Sequence, residues 1–225
     1  MNIRNKKGSK MKTKVSFYYK LIFSAVILIS IIDRAGIFAL TIKPYSFFSF
    51  TSISNICVLA VTLYGAFAGR RSLDDITPRF ARIQYLCLIM ILITGIVYSF
   101  ILLPDKLANN PDYKFFTIPN IVGHYVAPVG MLIDWLLFGK KGQLTKREPI
   151  ICICVPLLYC VIAIIYGNIG PEIPGLNSSY VYFFMYPAVS GWSGVIIWTL
   201  AMLAGIVLLT LAFYVLDRKM AHKKN

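Results

Sequence analysis

Leu86-Cys-Leu-Ile-Met-Ile-Leu-Ile-Thr-Gly-Ile-Val-Tyr-Ser-Phe-Ile-Leu-Leu103 runs through the middle of the chain without a single charged residue. A stretch of this length and composition can cross the apolar core of a bilayer as an α-helix, which takes about 20 residues. The 225-residue chain is 58% hydrophobic and 14% charged, with a mean hydropathy of +0.71. We therefore predict an all-α, polytopic membrane protein.

Five other stretches are apolar enough to join this one in a bundle of six transmembrane helices. The predicted spans are residues 16–42, 47–69, 83–103, 115–138, 150–167 and 191–216. The fifth is short and contains Pro156, but neighbouring helices can satisfy the backbone groups that a proline frees. The domain organisation is then a basic arm (1–15), one transmembrane domain (16–217) and a basic tail (218–225). The first span is too long for a cleaved signal peptide, so we expect a retained anchor.

Positive charge is distributed unequally between the connections of this bundle. Of the 23 Lys and Arg residues, 19 lie in or just after the amino-terminal arm, between spans two and three, between spans four and five, or after span six. The remaining four are Arg34, Lys43, Lys106 and Lys114. The positive-inside rule then predicts a cell-membrane protein with both termini in the cytoplasm. The net charge of +14 is an orientation signal, reinforced by anionic lipid, and it does not indicate nucleic-acid binding.

Metal and cofactor sites are not predicted. All five cysteines fall inside spans, where they are typical small packing residues, and Cys152-x-Cys154 lacks metal-site spacing. A lone intramembrane histidine is too little for a metal centre. There is also no phosphate-cradling glycine loop or dinucleotide fingerprint. The expected partners are membrane lipids, and no oligomeric state follows from the sequence.

His124 is the most informative single residue, because an ionisable side chain at membrane depth is costly unless it is paired or functional. It lies inside span four, whereas the other histidine, His222, lies in the basic tail. Two interpretations compete. His124 is either part of a functional site or a neutral imidazole that hydrogen-bonds a neighbouring helix.

Polar residues from four spans fall at the same predicted depth as His124. The predicted topology brings them together in the outer half of the membrane, and they are Asp33, Arg34, Thr51, Ser52, Ser54, Asn55, Thr94, Tyr98 and Asn120. Thr51 shares a helix face with Asn55, and Asn120 shares one with His124, because residues four apart lie on the same side of a helix.

Asp134 cannot orient His124, because it lies ten residues later on the same helix, about 15 Å deeper. We expect it to pair with a base in a loop or to anchor the end of the helix. The acceptor that orients His124 would be Asn55, Asn120, Tyr98 or Asp33.

The aromatic run Tyr180-Val-Tyr-Phe-Phe-Met-Tyr186 precedes the last span. We expect it to lie at the lipid headgroup level, as aromatic belts do. The alternative is that it caps a cavity from outside.

A hydroxyl beside a histidine is the minimum for nucleophilic acyl transfer, since the imidazole takes the hydroxyl proton and nearby donors stabilise the oxyanion. Thr51 or Ser52 with His124 meets this requirement, and Asn55, Asn120 or Tyr98 would supply the donor. In a bilayer the substrate would be an ester with long acyl chains. The same hydroxyls are also ordinary residues at membrane helix interfaces, where they hydrogen-bond from one helix to another.

Five segments carry a resemblance to a known family. They are Phe50-Thr-Ser-Ile-Ser-Asn55, Thr94-Gly-Ile-Val-Tyr98, Gly123-His-Tyr-Val-Ala-Pro128, Asp134-Trp-Leu-Leu-Phe138 and Leu216-Asp-Arg218. Their order and spacing resemble the bacterial Pr-six-Pr family of six-helix membrane proteins. That family is similar in fold to the eukaryotic androgen-induced and androgen-dependent TFPI-regulating proteins, which hydrolyse fatty acid esters of hydroxy fatty acids with an intramembrane threonine and histidine.

The resemblance implies a hydrolase of lipid esters with Thr51 as nucleophile and His124 as base. In the eukaryotic proteins the threonine precedes the next polar residue of its helix by three positions, which here would select Ser52. The Phe-Thr-x-x-Ser-Asn string favours Thr51. Two other functions stay open: a lipid-binding or transport protein that uses the same polar site without turnover, and a structural membrane protein whose polar layer only joins helices.

Overall fold

The computed structural model describes residues 3–174, 176 and 178–222, with side chains from residue 8 onward apart from Pro44. Across these residues the fold is all-α, with one isolated bridge between Ile173 and Ser178. Six long helices follow one another, and each is long and apolar enough to cross a membrane. The helices are α1 (Ile3–Arg34), α2 (Phe50–Ala68), α3 (Pro78–Asn109), α4 (Ile118–Phe138), α5 (Arg147–Ile169) and α6 (Pro187–His222). The prediction of an all-α fold with six helices long and apolar enough to cross a membrane is confirmed.

Local sequence signals explain where α3 and α4 begin. The Thr77 hydroxyl accepts the Phe80 N–H at 3.2 Å, and Pro78 occupies the first turn. Thr117 and Pro119 have the same roles at the start of α4. A side-chain oxygen satisfies an otherwise unpaired N–H at a helix start, and a proline there has no N–H to leave unpaired.

The first helix ends at Arg34, earlier than the predicted boundary at residue 42. Gly36 turns the chain with φ +77°, and a Cβ there would lie 1.9 Å from the Thr41 carbonyl oxygen. Only glycine adopts this conformation at little cost, so the helix stops although the residues that follow are apolar. Helices α3, α5 and α6 instead extend past the predicted spans, because polar residues at their ends continue the helix.

Packing divides the bundle into two parts. About half of the apolar stretch of α2, α3 and α4 is buried (56%, 56% and 50%), whereas only 22% of α5 and 17% of α6 is buried. Hydroxyl pairs join α1 to α2, through Ser24 and Thr62 at 2.7 Å, and α2 to α3, through Ser54 and Thr94 at 2.8 Å. Helices α5 and α6 pack more loosely beside this core, and a break at Gly191 (φ 66°) interrupts α6.

Lys20 and Asp134 form a buried ion pair towards the other end of the bundle. It lies more than about two α-helical turns from His124. Gln84 donates to the second oxygen of Asp134 at 2.7 Å, and Lys20 also donates to the Ser16 hydroxyl at 3.1 Å. These contacts join α1, α3 and α4. The expectation that Asp134 pairs with a loop base was wrong, because its partner lies within the first helix, whose buried face carries Lys20 directly towards α4.

We expect Lys20→Met to lower the free energy of unfolding by about 3–5 kcal/mol, because it leaves the buried charge of Asp134 uncompensated. Lys20→Met combined with Asp134→Leu should recover most of that loss. Reversible unfolding of the purified protein in micelles measures both effects. Arg82→Gln is the control, since the Arg82–Glu148 pair is partly exposed at 3.6 Å and should contribute less than ~1 kcal/mol. A double variant no more stable than Lys20→Met would contradict this account.

Candidate functional site

Two π-helical turns face one another where α3 and α4 cross. One covers Tyr98–Leu102 in α3 and the other covers Val122–Val126 in α4. Such turns are rare and occur frequently at functional sites. Gly95 allows the close approach of the two helices, because a Cβ there would lie 2.9 Å from the His124 carbonyl oxygen and from Pro128 Cγ.

Tyr98 and His124 project from these turns and stack on one another. Their ring centroids are 3.6 Å apart and the planes differ by 8°. The Tyr98 hydroxyl is paired with the Tyr113 hydroxyl at 2.7 Å. Tyr98 therefore covers one face of the imidazole, and its hydroxyl is directed to another partner.

His124 is 5% exposed, and its Nδ1 has no hydrogen-bond partner among the described residues. The backbone of Thr94 supplies a hydrogen-bonding contact to the imidazole. In the described part of the chain, the ring forms no hydrogen bond with any of the four expected acceptors, which are Asn55, Asn120, Tyr98 and Asp33. The uncommitted Nδ1 is a buried polar atom that a ligand or a reacting hydroxyl could satisfy.

Thr51 and Ser52, the two candidate hydroxyls, point to different places. Ser52 donates to the Ser46 carbonyl at 2.6 Å and contacts the Ser49 hydroxyl at 3.0 Å, so it belongs to the first turn of α2. Thr51 lines the same cavity as His124. Its methyl carbon would lie 3.7 Å from a Cβ placed on Gly123, the neighbour of His124.

The two asparagines bridge segments of the chain. Asn55 Nδ2 donates to the Thr51 and Gly123 carbonyls at 2.8 and 3.2 Å, which joins α2 to the π turn of α4. Its Oδ1 is buried without a partner among the described residues. Asn120 lines the cavity, but its amide donates to the carbonyls of Lys114 and Phe115 at 3.1 and 3.2 Å, which holds the chain before α4 in place.

The cavity that contains His124 has a volume of about 400 Å³ and a more polar lining than the cavity beside it. We call it the polar cavity. Besides the residues above, Arg34, Lys43, Lys106 and Asp105 contribute charged groups to its lining. Its neighbour, the apolar cavity, encloses about 250 Å³ between α2, α3, α5 and α6, and is lined mostly by hydrocarbon and aromatic groups such as Ile93, Trp198 and Met202.

Thr51, Leu102 and Tyr182 line both cavities. Thr51 therefore lies in the wall between the two spaces. A molecule with a polar head and a hydrocarbon chain could place one part in each cavity, with its junction near Thr51.

Tyr182 is the site residue that our sequence reasoning missed. Its hydroxyl accepts the Phe50 N–H at 3.1 Å and contacts the Thr51 side chain. Burial raises the pKa of Tyr182, so its hydroxyl stays neutral at physiological pH. Phe183 lines the polar cavity, and Phe184 and Met185 line the apolar one. Part of the aromatic run therefore lines the two cavities, and the run itself was the available signal.

Within the described residues, no group of three or more His, Cys, Asp or Glu side chains is arranged to hold a metal ion.

No protein-family model, curated protein or solved structure matches this chain. The family resemblance therefore stays a prediction, and the geometry of the site has to carry the functional argument.

Thiol labelling tests the placement of the two hydroxyls. In a background without the five native cysteines, Thr51→Cys should react with a small methanethiosulfonate reagent faster than Ser52→Cys, because only Thr51 lines the cavities. Mass spectrometry of the labelled protein over time gives both rates. Equal rates, or faster labelling at position 52, would contradict the placement.

Proposed function

We propose that this integral membrane protein hydrolyses esters of long-chain lipids, with Thr51 as nucleophile and His124 as general base. The observation that carries the proposal is the position of Thr51 in the wall between a polar cavity that contains His124 and an apolar cavity. An amphiphilic ester has its carbonyl at the junction of its polar and apolar parts. That junction is where a nucleophile has to be.

The reaction divides into two steps. In the first, the Thr51 hydroxyl oxygen attacks the ester carbonyl carbon while its proton passes to the His124 imidazole. The tetrahedral intermediate then expels the alcohol, which takes the proton from His124, and the acyl group remains on Thr51. In the second, water attacks the acyl-threonine and gives its proton to His124, and cleavage returns that proton to Thr51 and releases the fatty acid.

The surroundings of Thr51 support this chemistry. The neutral Tyr182 hydroxyl, in contact with the Thr51 side chain, is a donor that can stabilise charge developing on the carbonyl oxygen. Asn55 holds the Thr51 carbonyl and the Gly123 carbonyl together, so the nucleophile and the histidine-bearing turn keep a constant relation. The low dielectric of the site strengthens each of these interactions.

Ligand binding without turnover is the second candidate function. The buried Nδ1 of His124 favours it, because this atom has no partner among the described residues and a bound ligand could satisfy it without any reaction. The same pair of cavities would then hold a lipid or another small amphiphile. A turnover assay separates the two functions.

We expect Thr51→Ala and His124→Ala to lower kcat for a fluorogenic long-chain ester by at least about 100-fold, the usual contribution of a nucleophile or general base. Thr51→Ser should retain activity, since it keeps the hydroxyl. Ser52→Ala is the matched control, because that side chain lies outside the cavities. The assay uses purified protein in nanodiscs.

Full activity of both Thr51→Ala and His124→Ala would refute the enzymatic proposal. Saturable binding of the ester without hydrolysis by the unaltered protein would replace it with the second candidate.

We also propose that the protein lies in the cell membrane with both termini in the cytoplasm and the cavities near the opposite surface. The distribution of Lys and Arg supports this orientation, since the connections at the cavity end hold few of them. Phosphatase and fluorescent-protein fusions at residue 110 and at the carboxyl terminus test it. Phosphatase activity should appear at 110, and fluorescence at the terminus. The reverse pattern would overturn the orientation.

A further inference from the structure

Among the described residues, four cationic side chains lie at the cavity end of the bundle, and three of them line one space. Arg34, Lys43 and Lys106 belong to the lining of the polar cavity, whereas Lys114 does not. The three come from the end of α1, the connection after it and the end of α3. Cations from separate segments therefore converge on the cavity that holds Thr51 and His124.

These three cations are available to bind an anion. None of them forms an ion pair within 4 Å in the described part of the chain, where the pairs are Lys20–Asp134 and Arg82–Glu148. The Arg34 guanidinium donates to the Pro119 carbonyl at 2.9 Å, which uses one of its five N–H groups. Asp105 is the one carboxylate in the lining, so the formal charge of the lining is +2.

Arg34 lies close to the candidate nucleophile. A Cβ placed on Gly123 would be 3.3 Å from an Arg34 terminal nitrogen and 3.7 Å from the Thr51 methyl carbon. An anion held by this guanidinium is therefore a few bonds from an ester carbonyl at Thr51. Lys43 and Lys106 are exposed at the rim and would approach the same anion from outside.

We infer that the polar cavity is a subsite for the phosphate monoester headgroup of a single-chain lipid, with the acyl chain in the apolar cavity. A phosphate monoester carries close to two negative charges and matches the formal charge of the lining, whereas a carboxylate would leave one cation uncompensated. Arginine and lysine together are the usual ligands of such groups. One chain matches the apolar cavity, which is smaller than the polar one (about 250 against 400 Å³).

This inference rests on the proposed function and specifies its substrate class. The ester of a 1-acyl glycerol phosphate would lie at Thr51, with phosphate towards Arg34. Transfer of the acyl group to Thr51 breaks the ester bond, and glycerol phosphate leaves with the proton from His124. Water then releases the fatty acid.

Equilibrium binding to the Thr51→Ala protein in phosphatidylcholine nanodiscs tests the subsite without turnover. The probes are lauroyl glycerol phosphate, monolauroyl glycerol, lauric acid and glycerol phosphate. The first should bind at least about tenfold more tightly than the other three, because charge-assisted hydrogen bonds and the chain both contribute. Arg34→Gln and the double variant Lys43→Gln/Lys106→Gln, both added to Thr51→Ala, should each remove at least about tenfold of that affinity.

Lys114→Gln in the same background is the matched control, since this exposed lysine at the same end lies outside the cavity lining. It should leave every affinity unchanged. The double variant keeps the test decisive if Arg34→Gln does not fold, because both lysines are exposed.

Equal affinity for monolauroyl glycerol or lauric acid would overturn the phosphate subsite, and equal affinity for glycerol phosphate would overturn the lipid assignment. If both the Arg34→Gln and the double variant keep the affinity of the Thr51→Ala protein, the phosphate subsite is also overturned. Selective binding of lauroyl glycerol phosphate without its hydrolysis by the unaltered protein would refute the enzymatic proposal alone.

Discussion

The buried contacts of Asp134 with Lys20 and Gln84 are the constraint on which the rest of the arrangement depends. Two charges in an apolar bundle are tolerated only when they are paired, and pairing requires α1, α3 and α4 to stay together at one level of the bundle. The same three helices contribute Arg34, Tyr98 and His124 at the other end. A polar contact in one half of the bundle thus limits how far the groups of the site in the other half can separate.

The uneven packing of the six helices gives the site its shape. Helices α1 to α4 share a buried core, and hydroxyl pairs join α1 to α2 and α2 to α3, while α5 and α6 are largely uncovered by protein. The apolar cavity lies along this boundary, and the segment between α5 and α6 lines both cavities through Tyr182 and its aromatic neighbours. The well-packed helices position Thr51 and His124, and the less buried pair α5 and α6 supplies one wall of the apolar cavity.

The number of helices and the residues of the polar layer could be predicted from the sequence, because hydropathy and charge placement determine which segments cross a bilayer. That Thr51 and His124 share a cavity also followed from their common depth. Other features depended on three-dimensional detail. The end of α1 is set by one glycine conformation, and the partner of Asp134 is set by the rotation of α1. The different surroundings of Thr51 and Ser52 are set by hydrogen bonds in a single turn. Tyr182 reaches the site through a loop whose path no periodicity describes.

The two π turns have a consequence for how this chain tolerates insertions and deletions. A π turn closes hydrogen bonds to the fifth residue instead of the fourth, so it accommodates one extra residue in a helix. Loss of one residue from Val122–Val126 would restore regular α-helix and leave the hydropathy of α4 almost unchanged. The imidazole would then be rotated by about 100° relative to the rest of the helix, away from Tyr98. Membrane insertion and site geometry are thus encoded separately, the first in composition and the second in residue count.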